Sequence, residues 1–228
     1  FDNYLYQLIN EFCEKRHKKI ELIVVVDQLK PDYLNKKINA KFKKRSNIKF
    51  FKSNKKSRIA ALNHGYSHSE GKIIKCIDSD DKLHDSFFKY INKLKKFDAH
   101  CHNASIGNEN LQKIVSYTFN PAILKKEKNY LIENMISSPR WAWSFNKSIA
   151  KKIFPIPENL FAEDFWFTFI IKSHARSIYH INEDLYTYRQ HNENEWGGVI
   201  NFSKEIMTQR SKWLINEIDE LKKLNKQL

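Results

Sequence analysis

Lys72-Ile73-Ile74-Lys75-Cys76-Ile77-Asp78-Ser79-Asp80-Asp81 runs from an apolar, largely β-branched segment straight into three carboxylates within four positions. Carboxylates this close repel one another unless a cation neutralises them, and a divalent metal holding a diphosphate is one such cation. Mg²⁺ takes one or two carboxylates plus substrate phosphate oxygens, and Mn²⁺ accepts the same hard ligands. A strand over Lys72 to Ile77 would deliver the acids to its C-terminal end, where open α/β sheets bind ligands. The alternative is an acidic loop that caps the next helix, since Asp is common in turns and at helix N-termini.

Working outward, Arg58 to Ser67 reads as a helix that stops before Gly71, and Ile48 to Phe51 as a strand. Glu21 to Val26 is a short apolar run ending at Asp27, as buried parallel strands end. Leu5, Leu8, Ile9 and Phe12 place a helix over Tyr4 to Lys15, and Phe87 to Leu94 is helical again. This β-α-β-α rhythm predicts a Rossmann-like, mostly parallel central sheet flanked by helices. The second half is less regular: strands at Lys113 to Phe119 and Ile178 to Ile181, a helix at Glu163 to Lys172, and a C-terminal amphipathic helix over Phe202 to Leu224. That last helix has three uses open to it: packing on the domain, forming a homodimer, or lying on a membrane surface.

With 228 residues, 41% of them hydrophobic, the chain can bury one substantial core. A net charge of +14 favours polyanions. The basic residues are scattered rather than gathered on a recognisable module, so phosphate or anionic-lipid attraction is preferred and no nucleic acid partner is expected. Three cysteines are too few and too widely spaced for a disulfide framework, which suggests a reducing compartment. No run of 18 apolar residues occurs, so no segment is expected to span a bilayer. His100-Cys101-His102 has no second Cys/His pair at zinc-ligand spacing and reads as strand and loop.

The stretch Ala60-Ala61-Leu62-Asn63-His64-Gly65-Tyr66-Ser67-His68-Ser69-Glu70-Gly71, leading into the strand and its acids, makes the pattern more specific. It resembles the segment of family 2 glycosyltransferases in which an Ala-Arg-Asn-x-Gly helix precedes a small-x-Gly turn, a strand and an Asp-x-Asp motif. Glu21 to Asp27 is similar to that family's second strand with its Val-Asp-Asp ending. Ala162-Glu163-Asp164-Phe165-Trp166 resembles its Glu-Asp motif, and Tyr188-Arg189-Gln190-His191 its Tyr-Arg-x-His tail. The resemblance covers roughly residues 4 to 195.

That resemblance implies a GT-A fold, a nucleotide-diphosphate sugar donor, Mn²⁺ or Mg²⁺, and inversion at the anomeric carbon. It implies Asp80 as the direct metal ligand and Asp78 on the ribose or a metal-bound water. Asp81 either supports the ion from behind or caps the following helix. Asp27 matches the residue that reads the nucleotide base, unless it is a plain turn residue, and Asn63 falls in register with the donor-binding helix. Asp164 is the candidate base and Glu163 orients it or the acceptor, unless both simply cap their helix. Arg189 and His191 are candidate diphosphate or metal contacts, with an ordinary surface loop as the alternative. Arg140-Trp141-Ala142-Trp143 offers a surface suited to stacking a sugar acceptor, although burial of at least one Trp in the core is favoured.

The chain departs from the family pattern in three places. Val26 stands where the first Asp of Val-Asp-Asp is expected, and Leu62 where the Arg of Ala-Arg-Asn is expected; Arg58, one turn earlier, is placed to substitute. The family's opening strand, with its Pro-x-Tyr-Asn segment, is expected before Phe1. Without it, the sheet's centre would carry unpaired backbone and the nucleotide pocket a hole.

The resulting expectation is a glycosyltransferase domain over 1–200, with a nucleotide-sugar half (1–98) and an acceptor half (99–200), followed by a helix over 201–228. It would be an inverting, metal-dependent enzyme of bacterial surface polysaccharide synthesis, using a UDP-sugar and a glycan or lipid-linked acceptor. Its expected place is the cytoplasm, with peripheral association at the inner face of the cell membrane. The competing readings are a sugar nucleotidyltransferase, which a Gly-rich phosphate loop would support, and a non-catalytic carbohydrate- or nucleic-acid-binding domain.

Overall fold

A computed structural model describes residues 2–14, 19–26, 42, 46–53, 55–160, 162–192, 194 and 204–225. The first sheet pairs β1 (Leu22–Val26) with β2 (Ile48–Lys52) in parallel, Val24 opposite Phe50. Helix α1 (Asp2–Glu14) lies against it through Leu5, Ile9 and Cys13, a four-residue spacing that keeps all three on one face. Those side chains close a small core with Val24, Phe42 and Ile48. Helix α2 (Arg58–Ser67) is capped by the Ser57 side chain, which accepts from the Ala60 N–H. Gly65 lets this helix approach β1, because a Cβ there would come within 3.2 Å of a Val25 methyl.

The second sheet runs in the order β3 (Ile73–Ile74), β7 (Trp143–Asn146), β5 (Ala99–Gly107), β8 (Ile178–Arg189), β4 (Lys82–Leu83), with β6 (Lys113–Tyr117) also on β5. Short helices α3 (Asp85–Lys89), α4 (Ile91–Leu94), α5 (Ala122–Lys125) and α6 (Lys128–Glu133) fill the connections. Helix α7 (Lys147–Ile153) packs on α8 (Glu163–His174), where the Trp166 indole N–H donates to the Ile153 carbonyl at 2.8 Å. The main core between sheet and helices holds Phe119, Trp143, Phe145, Phe167, Ile170 and Ile171, all essentially without solvent contact. The last helix, α9 (Lys204–Asn225), buries Glu217, Ile218 and Leu221, and Glu217 accepts the Ala162 N–H at the start of α8.

The pairing is more mixed than the expected mostly parallel sheet. Among the described pairings β1/β2 and β5/β8 are parallel, whereas β3/β7, β4/β8, β5/β6 and β5/β7 are antiparallel. The reason lies in the connections: β5 and β6 are joined by a short turn, which permits only a hairpin, and parallel neighbours need a long crossover. The expected strand over Lys72 to Ile77 also keeps only Ile73 and Ile74 in the ladder. At Lys75 the chain leaves the sheet, and the ammonium turns inward to the Trp141 and Trp143 carbonyls and to His102 Nε2 at 2.6 Å. His100 and His102 are therefore core residues of β5. A cleft of about 1920 Å³ is lined by β1, β3, the loop that follows β3 and the start of α8.

Candidate active site

The acids after β3 are separated by their partners. Asp81 is buried, accepting the Tyr186 hydroxyl at 2.6 Å and the Arg189 N–H at 2.7 Å. Burial, with Asp78 and Asp80 alongside, pushes its carboxyl well above the usual range. It fastens the loop to β8 and caps no helix. Asp80 is held differently: Oδ2 lies 2.9 Å from His191 Nε2, and its carbonyl accepts the Arg189 Nε–H. Asp78 is the most open of the three, and its Oδ1 pairs with Arg140 Nη2 at 2.5 Å.

Helix α8 brings the second acidic pair. Its N-cap is Ala162, and neither Glu163 nor Asp164 bonds the helix's own amides. Instead Glu163 is buried between two guanidiniums: Arg140 Nε reaches Oε1 at 3.0 Å and Arg58 Nη2 reaches Oε2 at 2.8 Å. Asp164 Oδ1 accepts the Arg140 backbone N–H at 2.7 Å. Burial, then the negative charge of Glu163, pushes the Asp164 carboxyl up to about 7, against the opposing pull of Arg140 and Arg58. A carboxyl that titrates near neutrality is suited to accept a proton.

Asp78, Asp80, Arg58, Arg140, Glu163 and Asp164 all line the cleft. The acids that lie far apart in the sequence thus share one cavity, with Arg140 between them. Other expected residues sit elsewhere. Asn63 is a structural clamp: its amide donates to the Ile156 carbonyl at 2.9 Å and accepts the Ile156 N–H at 2.7 Å. The Arg189 guanidinium is 4% exposed, bonded to the Asp80 and Glu109 carbonyls and to Gln7, and lies over the Tyr4 ring, so it stands behind the Asp80 loop rather than in the cleft. Asp27 is outside the described residues. Arg58, expected near the base, reaches Glu163. Trp143 is in the core, and Trp141 is mostly buried in a stack with Tyr186 at 5.1 Å and Tyr188 at 6.2 Å.

The role of Arg140 is what sequence reasoning missed. Its signal was present: an arginine inside the aromatic run Pro139 to Trp143 is rarely buried without a carboxylate partner. Nothing local indicates that the partners are Asp78, 62 positions before it, and Glu163, 23 after it.

No group of three or more His, Cys, Asp or Glu side chains that could hold a metal occurs among the described residues. A hard divalent ion bound mainly through substrate phosphates does not require one. The Asp80 carboxylate suits Mn²⁺ or Mg²⁺ with phosphate completing the shell, and the His191 imidazole beside it is a softer donor that fits Mn²⁺ better than Mg²⁺.

The model for "Glycosyl transferase family 2" matches residues 2–154. Crystal structures of Staphylococcus aureus TarS residues 1–349 resemble this fold. The complex with UDP-GlcNAc superposes with a TM-score of 0.62 at 19% identity, covering 94% of this chain and 62% of TarS 1–349. The UDP complex gives 0.59 at 18% identity, covering 90% and 60%, and the structure described without a ligand 0.61 at 18%, covering 82% and 56%. This chain therefore spans less than two thirds of those chains. The likeness is one of fold, an α/β architecture with a curled central sheet of the GT-A type. No curated protein matches the chain.

Proposed function

The chain belongs to glycosyl transferase family 2, and from that premise we propose that it transfers a sugar, with inversion, from a UDP-sugar to a glycan or lipid-linked glycan hydroxyl. The observation that carries this reading is the shared cleft, which both Asp80, bonded to His191, and Asp164 line. The acceptor hydroxyl attacks the anomeric carbon, and its proton passes to the Asp164 carboxylate. The bond from that carbon to the phosphate oxygen breaks, and its electron pair leaves with the diphosphate. The sugar carries oxocarbenium character between the two events, as in glycoside hydrolysis.

Mn²⁺ or Mg²⁺, held by Asp80 and His191, would supply Lewis-acid stabilisation of the departing diphosphate. Asp78 would face the ribose or a metal-bound water. Glu163 holds Arg58 and Arg140, and Tyr188 and Trp141 border the acceptor side. UDP-GlcNAc is the first donor to test, because UDP and UDP-GlcNAc complexes are known for structures of this fold. The place of action is the cytoplasmic face of the membrane, where a charge of +14 favours anionic lipid. Among the described residues no helix is long and apolar enough to cross a bilayer.

Calorimetry against a panel of nucleoside diphosphates, with and without Mn²⁺, tests the reading. Metal-dependent binding of UDP is the expected result. Steeply salt-dependent polyanion affinity without metal-dependent nucleotide binding would instead identify a binding domain.

A further inference from the structure

Arg140 sits on η1 (Arg140–Ala142), the short 3₁₀ turn that leads into β7, and touches both acidic clusters at once. It is 4% exposed. Its Nη2 holds Asp78 Oδ1, its Nε holds Glu163 Oε1, and its own backbone N–H holds Asp164 Oδ1. One residue thus connects the acid expected at the ribose or a metal-bound water to both acids of the Glu-Asp pair. Its remaining nitrogen, Nη1, is out of solvent and has no hydrogen-bond partner among the described residues. A buried guanidinium with a spare donor can gain a bond by shifting toward either carboxylate.

The charges make such a shift depend on what occupies the cleft. Asp78 and Glu163 share Arg140, and Glu163 has Arg58 as a second cation. A ribose hydroxyl or metal-bound water at Asp78 would compete with Nη2 for its carboxylate and weaken the hold of Asp78 on the guanidinium. The guanidinium is then drawn toward Glu163, and because the Arg140 amide and side chain belong to one short turn, the bond to Asp164 is adjusted with it.

Resting on the transferase reading above, we propose that Arg140 is a positioning residue that couples occupancy of the Asp78 side of the cleft to the placement of Asp164. The planar fork is essential to this role, because a lysine ammonium is a point charge that cannot bridge two carboxylates in fixed geometry. Arg140→Lys restores charge without restoring the link.

The test is amide hydrogen exchange on the full chain, with UDP and Mn²⁺ as the probe. In the wild type, saturating probe slows exchange across residues 162–170 by about tenfold, the range of an ordinary coupling energy. In Arg140→Gln and Arg140→Lys this slowing is lost at UDP and Mn²⁺ concentrations that saturate each variant, so that binding and coupling separate. A merely structural charge would be rescued by lysine; unaltered coupling in Arg140→Lys, or in Arg140→Gln, overturns the proposal. Absence of any slowing in a wild type that binds UDP overturns it without a variant. A wild type that binds no UDP with Mn²⁺ overturns the transferase reading, and the coupling with it.

Discussion

The loop Asp78–Asp81 and the start of α8 at Glu163-Asp164 are both acidic clusters on one cleft, yet they use their buried members in opposite ways. In the loop, the buried acid is Asp81, and its partners are neutral donors, the Tyr186 hydroxyl and the Arg189 amide. On α8 the buried Glu163 is held by two guanidiniums. Asp81 therefore anchors its loop to β8 while Asp78 and Asp80 stay toward the cleft. Glu163 gathers cations around itself, and Asp164 is pushed up to about 7 beside it. Partners rather than residue type assign the roles.

If the loop is the diphosphate side and α8 the base side, substitutions should separate the two. The largest effect is expected at Asp80: Asp80→Asn lowers transfer by about 10³-fold and removes the Mn²⁺ dependence of UDP binding, as calorimetry would show. Unchanged turnover would remove Asp80 from the metal site. Next, Asp164→Asn lowers the rate by about 10²–10³-fold while leaving UDP affinity intact; a variant that retains turnover would refute the base. Asp81→Ala acts on stability, leaving the Tyr186 hydroxyl and the Arg189 N–H without their acceptor. It should cost about 2–4 kcal/mol in urea unfolding, and Asp81→Asn markedly less.

The pH dependence sharpens the same contrast. The base must be ionised, so kcat/KM should fall about tenfold per unit as pH drops below about 7, and this limb should vanish in Asp164→Asn. Melting reads the same group. A carboxyl raised from 3.8 to about 7 in the folded chain favours its neutral form there, so its stabilising contribution is present at acid pH and is lost as pH climbs from about 4 through about 7. Asp164→Asn, which cannot ionise, should therefore melt about ten degrees above the wild type at about pH 8 and together with it near pH 4.

Much of this arrangement is legible before any coordinates. Helix α1 is visible from Leu5, Leu8, Ile9 and Phe12, and β1 from its run of β-branched residues. Helix α2 follows the expected bounds at both ends, because Ser57 caps it and the turn before Gly71 ends it. The acids of both clusters stand out because charge at the end of an apolar run has few bland explanations. Elements of the second half are harder to see: β5 is buried along nearly its whole length, so it shows no alternation, and its histidines resemble surface polar residues. β8 extends to Arg189, well past the expected Ile181, because Asn182, Glu183 and Asp184 interrupt the apolar pattern within a strand held by pairing to β5 and β4.

By itself the sequence determined which side chains could carry chemistry and in what order they occur, because local periodicity and residue type are properties of neighbours along the chain. Tertiary structure alone decided that Arg140 would bind Asp78, Glu163 and the Asp164 carboxylate, that Arg58 would face Glu163, and that Asn63 and Arg189 would serve the scaffold. Those outcomes depend on desolvation. A buried charge must find a partner wherever the fold brings one, and sequence separation places no limit on where that partner comes from.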